Sequence, residues 1–167
     1  YDSNRSSEEI LTDWIKKHNI DVLCTGGMSC NWNQINEVLD SAKKIKPDII
    51  TVAGGAIIIS DPELAIKNMK IDFGIMGEGE LTMAELANTF CQDKNPNAIQ
   101  GITYFDKNQN SVVVNPSRDY IKNLDDLPFP DYEAFGFDQW KKLMKNCGEF
   151  VALYKYPKLN YAQIAGS

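Results

Sequence analysis

The chain has 167 residues, enough for one domain of ordinary size with an appended piece, and its 43% apolar and 24% charged residues are those of a soluble globular protein. A net charge of -6 with scattered Lys and Arg works against a nucleic-acid surface, where phosphates demand clustered cations. No apolar run reaches the roughly 18 residues of a membrane span, and no basic-then-apolar leader opens the sequence, so the expectation is a cytoplasmic protein with no membrane partner.

The opening, YDSNRSSEEILTDWIKKHNIDVLCTGG, reads as loop, helix, strand. Ser6 or Ser7 is placed to cap, Glu8 and Glu9 fall in the first turn where the helix dipole favours acids, and Lys16, Lys17 and His18 close the last turn. Ile10, Leu11, Trp14 and Ile15 share one face, which makes Trp14 a core residue, and the run IDVLCT predicts a strand covered on both faces. Tyr1 to Ser3 resembles the end of a strand that precedes the chain.

The unit then recurs. Trp32, Ile35, Val38, Leu39, Ala42 and Ile45 follow helical spacing, with Trp32 read as core, and IITVA is a second buried strand. Asp61 and Pro62 suit the N-cap and first position of a short helix to about Met69, followed by the strand IDFGIM. Leu81, Met83, Leu86, Ala87 and Phe90 mark another helix. Helices alternating with short buried strands imply a parallel sheet in a three-layer α/β domain of Rossmann-like or flavodoxin-like type.

After Asn95 the pattern changes. GITYFDKNQNSVVV is two alternating runs around a polar turn, a predicted β-hairpin added to the α/β domain. Residues 117–167 are taken as an extended connector, rich in Asp and Pro, with helical periodicity only from Phe137 to Met144 and two short strand-like runs in the tail. Residues 1–116 form the domain proper, and the chain reads as cut at both ends.

Three glycine-bearing turns follow the three parallel strands with the same polarity: Thr25 to Asn31, Gly54 to Ala56, and Gly77 to Glu80. In open α/β sheets ligands bind beyond the carboxyl ends of the strands, and glycine lets backbone approach a flat or bulky group. Any one of these turns is met by a plain strand-to-helix connection; three in successive units leave a shared ligand rim as an equal reading. Neither GxGxxG nor a P-loop is present, which argues against a small-nucleotide enzyme.

Catalytic groupings are thin. The single histidine, His18, falls at a helix end on the wrong edge of the sheet for a nucleophile pair. Glu78 and Glu80 suit capping and dipole pairing or ligand hydrogen bonding, and Asp125, Asp126 and Asp131 are read as turn residues in preference to a metal site. The four cysteines, Cys24, Cys30, Cys91 and Cys147, have neither zinc nor disulfide spacing and are read as free, buried thiols. From the residues alone this is a ligand-binding or docking module, not a self-sufficient enzyme.

The segments IDVLCTGGMS, KPDIITVAGGAIIISDPE, KIDFGIMGEGELTMAELANTF, IQGITYFDKNQNSVVVNP and IKNLDDLPFPDYEAF, in that order, resemble the N-terminal cobalamin-binding-type domain of radical S-adenosylmethionine enzymes. That family includes the anaerobic magnesium-protoporphyrin monomethyl ester oxidative cyclases and various methyltransferases. The resemblance implies cobalamin as cofactor, with its nucleotide tail between strands and its corrin over the strand ends. It would place Thr25, Gly26 and Ser29 at the tail, Gly54, Gly55 and Ala56 after the next strand, and Gly77, Glu78 and Gly79 at the corrin side. It also implies a partner barrel joined C-terminally to the connector, carrying a 4Fe-4S cluster, S-adenosylmethionine and a small-molecule substrate.

Two departures qualify it. No D-x-H-x-x-G loop supplies a histidine to cobalt, and no C-x3-C-x2-C run is present, so this chain does not hold the cluster. The alternative from another class is a non-catalytic α/β docking or regulatory module that binds no cobalamin. A receiver-type module would need a phosphorylatable Asp at a strand end, where this sequence has Thr25, Gly54 and Gly77.

Overall fold

The computed structural model describes residues 5–134 and 136–138. The strand end read into Tyr1 to Ser3, the helical face from Phe137 to Met144 past Asp138, Cys147 and the strand-like runs of the tail lie outside the described residues. The chain divides into two units, Tyr1–Ile121 and Lys122–Ser167.

In the first unit, helix α1 (Ser7–His18) begins at a reciprocal cap. The Glu9 N–H donates to Ser6 Oγ at 3.2 Å, and the Ser6 N–H donates to Glu9 Oε2 at 2.8 Å. The Ser6 backbone donor, followed by its hydroxyl, holds the Glu9 carboxyl below its ordinary pKa. Strand β1 (Val22–Gly26) follows, then α2 (Trp32–Ile45), β2 (Ile50–Gly54), α3 (Ala56–Ser60), α4 (Pro62–Asn68), β3 (Phe73–Ile75), α5 (Glu80–Cys91) and the hairpin β4 (Ile102–Asp106) and β5 (Ser111–Val114). As the sequence predicts, Asp61 caps α4, its side chain accepting from the Leu64 N–H at 2.9 Å. Helix α3 is an element the periodicity does not reveal, since AIIIS is too short to carry a helical repeat.

The strands form one sheet in the order β1-β2-β3-β4-β5. β1, β2 and β3 run parallel, with Gly26 opposite Gly54, and the hairpin adds antiparallel to β3. Alternation along the strands separates two cores. Ala53 packs with Ile35 and Leu39 of α2, Ile57 and Ile58 of α3, and Ala65 and Ile66 of α4. Val52, Ile75, Ile102 and Tyr104 pack with Leu86 of α5 on the opposite face. A third cluster joins Ile15 of α1 to Ala42 and Ile49. Helices thus cover both faces, as expected of a three-layer domain.

Three expectations are corrected. Trp14 is 59% exposed and stacks on His18 at 4.8 Å between ring centroids, because α1 turns only Leu11 and Ile15 toward α2. β1 is only half buried, because α5 covers β3 and β4 and leaves the face bearing Cys24 open. Cys24, Cys30 and Cys91 are free but exposed, not buried.

In the second unit, Leu124–Asp126 form a 3-10 turn capped by Asn123, and Asp131 Oδ1 accepts from the Ala134 N–H at 2.9 Å. Asp126 Oδ1 accepts from Asn123 Nδ2 at 2.9 Å, so the Asp126 and Asp131 carboxylates serve turns, while Asp125 contributes its backbone N–H to Asn123 Oδ1. Among the described residues no helix is long and apolar enough to cross a membrane.

Candidate functional site

Because β1, β2 and β3 are parallel neighbours, their carboxyl ends meet at one edge of the sheet. There they enclose an open groove of about 360 Å³, lined by Cys24, Thr25, Gly54 and Gly55, by Ile75, Gly77 and Gly79, and by Met83 of α5. A larger opening of about 650 Å³ lies between α1 and α2 around Trp14, but its walls are helix side chains and it receives no strand end. The groove is distinguished by exposed backbone, the feature that three glycine turns predict.

The floor is a backbone seam. The Gly27 N–H donates to the Gly54 carbonyl at 3.3 Å, and the Ile57 N–H donates to the Gly27 carbonyl at 3.0 Å. The turn after β1 is thereby tied to the turn after β2 and to the start of α3. A Cβ at Gly26 would lie 2.5 Å from the Gly54 carbonyl oxygen, so the seam closes only with glycine there. Gly77 is different. Its φ of +71° lies in the left-handed region, and a Cβ there would meet nothing within 4 Å, so the strand end faces a cradle that a ligand can fill.

The site residues expected from sequence divide into two groups. Thr25, Gly54, Gly55, Gly77 and Gly79 line the groove. Gly26 forms its seam, and Ala56 opens α3 behind it. Ser29 is exposed in a 3-10 turn, its hydroxyl 3.4 Å from that of Ser60. Glu78 caps nothing: its Oε2 accepts from the Ile121 N–H at 2.7 Å, so its carboxylate is directed to the chain beyond the hairpin. Glu80, exposed in the first turn of α5, also lines the groove.

Cys24, Ile75 and Met83 also line the groove and are not among the site residues expected from sequence. For Cys24 a signal existed, since residues two apart on a strand share a face and Cys24 is two before Gly26. Its thiol is exposed to the groove yet shielded enough by the walls that burial raises its pKa above the ordinary thiol value. The folded form therefore favours the neutral thiol at neutral pH, and alkylation of Cys24 by iodoacetamide is expected to accelerate only as pH climbs past the usual thiol range. Peptide mass mapping of the alkylated chain across a pH series checks this; full reaction at Cys24 below neutrality would contradict it.

His18 ends α1 and precedes β1, so it lies toward the amino-terminal edge of the sheet, opposite the groove. Among the described residues no group of His, Cys, Asp and Glu is arranged to hold a metal ion. The groove offers open backbone, the Thr25 hydroxyl, the Cys24 thiol, the Glu80 carboxylate and apolar walls. Such a surface suits binding and orientation of a bulky ligand.

Residues 1–87 match the family model described as B12 binding domain. The chain is 30% identical over 128 residues to an uncharacterized methyltransferase of Pyrococcus horikoshii, covering 76% of this chain and 28% of that protein. It is 28% identical over 144 residues to the anaerobic magnesium-protoporphyrin IX monomethyl ester cyclase of Rubrivivax gelatinosus, covering 84% of this chain and 25% of the cyclase. The chain thus spans about a quarter of the length of the curated relatives it matches. Among solved structures, it is similar to the cobalamin-dependent S-adenosylmethionine radical enzyme OxsB with aqua-cobalamin bound, with a TM-score of 0.64 at 18% identity over 78% of this chain and 18% of that one. It is also similar to the radical S-adenosylmethionine methyltransferase TsrM of Kitasatospora setae with cobalamin and a [4Fe-4S] cluster bound, with a TM-score of 0.62 at 15% identity over 72% of this chain and 22% of that one. At these identities the structural likeness establishes the fold.

Proposed function

The chain belongs to the B12-binding domain family, and from that premise we propose that the groove at the ends of β1, β2 and β3 binds cobalamin and positions it for chemistry performed by a larger radical S-adenosylmethionine enzyme of oxidative cyclase or methyltransferase type. The observation that carries this reading is the convergence of Thr25, Gly54, Gly55, Gly77 and Gly79 on one groove, with open space at Gly77. A groove of about 360 Å³ with exposed backbone at its rim would take part of a bulky cofactor. Cobalamin, when bound, supplies radical and group-transfer chemistry at its cobalt.

The chain's own residues do the holding. The Gly26–Gly54 seam sets the floor, Thr25 offers a hydroxyl, and Ile75 and Met83 exclude water from the apolar side. The 4Fe-4S cluster, the S-adenosylmethionine and the small-molecule substrate belong, in this reading, to the larger protein. His18, the chain's single histidine, lies toward the edge of the sheet opposite the groove.

Two measurements on the full chain test the assignment. Titration with hydroxocobalamin is expected to give a saturable visible-band shift, and the bound cofactor should protect Cys24 from alkylation while leaving Cys91 reactive. Absence of any spectral change would reject cobalamin and leave the docking-module alternative; binding without protection of Cys24 would move the cofactor elsewhere.

A further inference from the structure

We propose that residues 116–121 are a strap that positions the rim of the groove through Glu78. Three contacts fix this segment to the hairpin and to α5. The Gly101 N–H donates to the Pro116 carbonyl at 2.9 Å. Arg118 Nε donates to the hydroxyl of buried Thr82 at 3.2 Å, while its guanidinium pairs with Glu85. The Ile121 N–H then donates to Glu78 Oε2 at 2.7 Å.

The third contact matters because of where Glu78 stands. It is the only side chain between Gly77 and Gly79, two residues without a Cβ that line the groove. The α5 N-terminus at Gly79 has no side-chain cap, so the loop lacks the usual local tether. Its side-chain anchor comes instead from a backbone donor 43 residues further along the chain. A hydrogen bond to a carboxylate is among the stronger kinds, and here it decides how a permissive glycine loop is held.

Linkage follows. A ligand pressing on Gly77 and Gly79 acts on Glu78 and so on Ile121, and displacement of the strap must alter the groove by the same free energy. Glu78 is thus a positioning residue, acting on the groove through the loop that carries it. Directly after Ile121 the chain enters the second unit at Lys122, so the strap is the covalent lead between the groove rim and that unit. The ligand step rests on the cobalamin reading; the hold of the strap on the loop does not.

The test is nuclear magnetic resonance on the full chain, using Glu78→Ala, Glu78→Gln, Ile121→Pro, which deletes the same donor, and the double variant Glu78→Ala/Ile121→Pro. The backbone order parameters of Gly77 and Gly79 are expected to fall to below about 0.6 in Glu78→Ala and in Ile121→Pro alike, and no further in the double variant. Glu78→Gln, which keeps an acceptor oxygen, should remain near the wild type. Exchange of the Ile121 amide should be about tenfold faster in Glu78→Ala. Hydroxocobalamin should slow that exchange in the wild type and in Glu78→Gln, but not in Glu78→Ala. Unchanged order parameters in either single variant, or additive loss in the double, would overturn the strap; cobalamin bound with no effect on Ile121 would overturn the linkage. If the wild type takes up no hydroxocobalamin, the cofactor reading fails, and the ligand-free order parameters still decide the strap.

Discussion

Replacing Asp72 by alanine is expected to lower the stability of the first unit by about 2–3 kcal/mol, visible as a drop of about 10 °C in the unfolding midpoint. The N–H of fully buried Thr51, the second residue of β2, donates to Asp72 Oδ2 at 2.8 Å. The Thr51 hydroxyl donates to the Lys70 carbonyl at 2.6 Å and accepts from the Asp72 N–H at 3.1 Å, so it is not free to substitute for the lost carboxylate. Alanine would leave a buried backbone donor without a partner, which is costlier than the loss of an ordinary surface bond. Lys43 also donates to Asp72 Oδ2, at 2.6 Å, but the Asp72 side chain is 40% exposed and Lys43 keeps the Ile49 carbonyl at 2.6 Å, so this ion pair contributes little. Asp72→Asn, retaining an acceptor for Thr51, should therefore recover most of the stability. Thermal and denaturant unfolding of the three proteins decides the matter; an Asn variant as unstable as the Ala variant would return the weight to the Lys43 pair.

Gly26→Ala carries the second large effect, and it falls on the groove as well as on the fold. The added Cβ would meet the Gly54 carbonyl oxygen at 2.5 Å and its carbon at 3.0 Å. Both are backbone atoms of the neighbouring strand, so relief requires β1 and β2 to part at the floor of the groove. Parting them stretches the Gly27 to Gly54 hydrogen bond that ties the two turns. The expected cost is about 1–3 kcal/mol of stability, together with an approximately tenfold or greater loss of hydroxocobalamin affinity. Gly27→Ala is the control, since the nearest atoms to its Cβ would be side-chain ones at ordinary contact distance, Ile35 Cδ1 at 3.4 Å and Asn31 Oδ1 at 3.6 Å. Equal effects at the two glycines, measured by unfolding and by cofactor titration, would show that strand approach is not what selects Gly26.

The caps were legible because they are local. Ser6 with Glu9, and Asp61 with Pro62, lie within one helical turn of the donors they serve. The groove was partly legible for a related reason. Parallel strands joined by helices must end at the same edge, so three glycine turns in successive units had to meet. Trp14 and Cys24 were misjudged because periodicity tells which residues share a face but not whether anything covers it. α1 contributes Leu11 and Ile15 to its contact with α2 and leaves Trp14 in solvent. Cys24 stays accessible because α5 packs over β3 and β4.

The sequence by itself determined the alternation of helices and strands, the hairpin, the turn chemistry and the polarity of the glycine ends, all of which depend on residues a few positions apart. Only the tertiary structure decided that Gly26 abuts Gly54, that Asp72 satisfies Thr51, and that Glu78 faces Ile121 instead of the groove. Those pairings join residues between 21 and 43 positions apart. They are fixed by strand register and by the path of the chain over α5, and no local pattern of side chains encodes either.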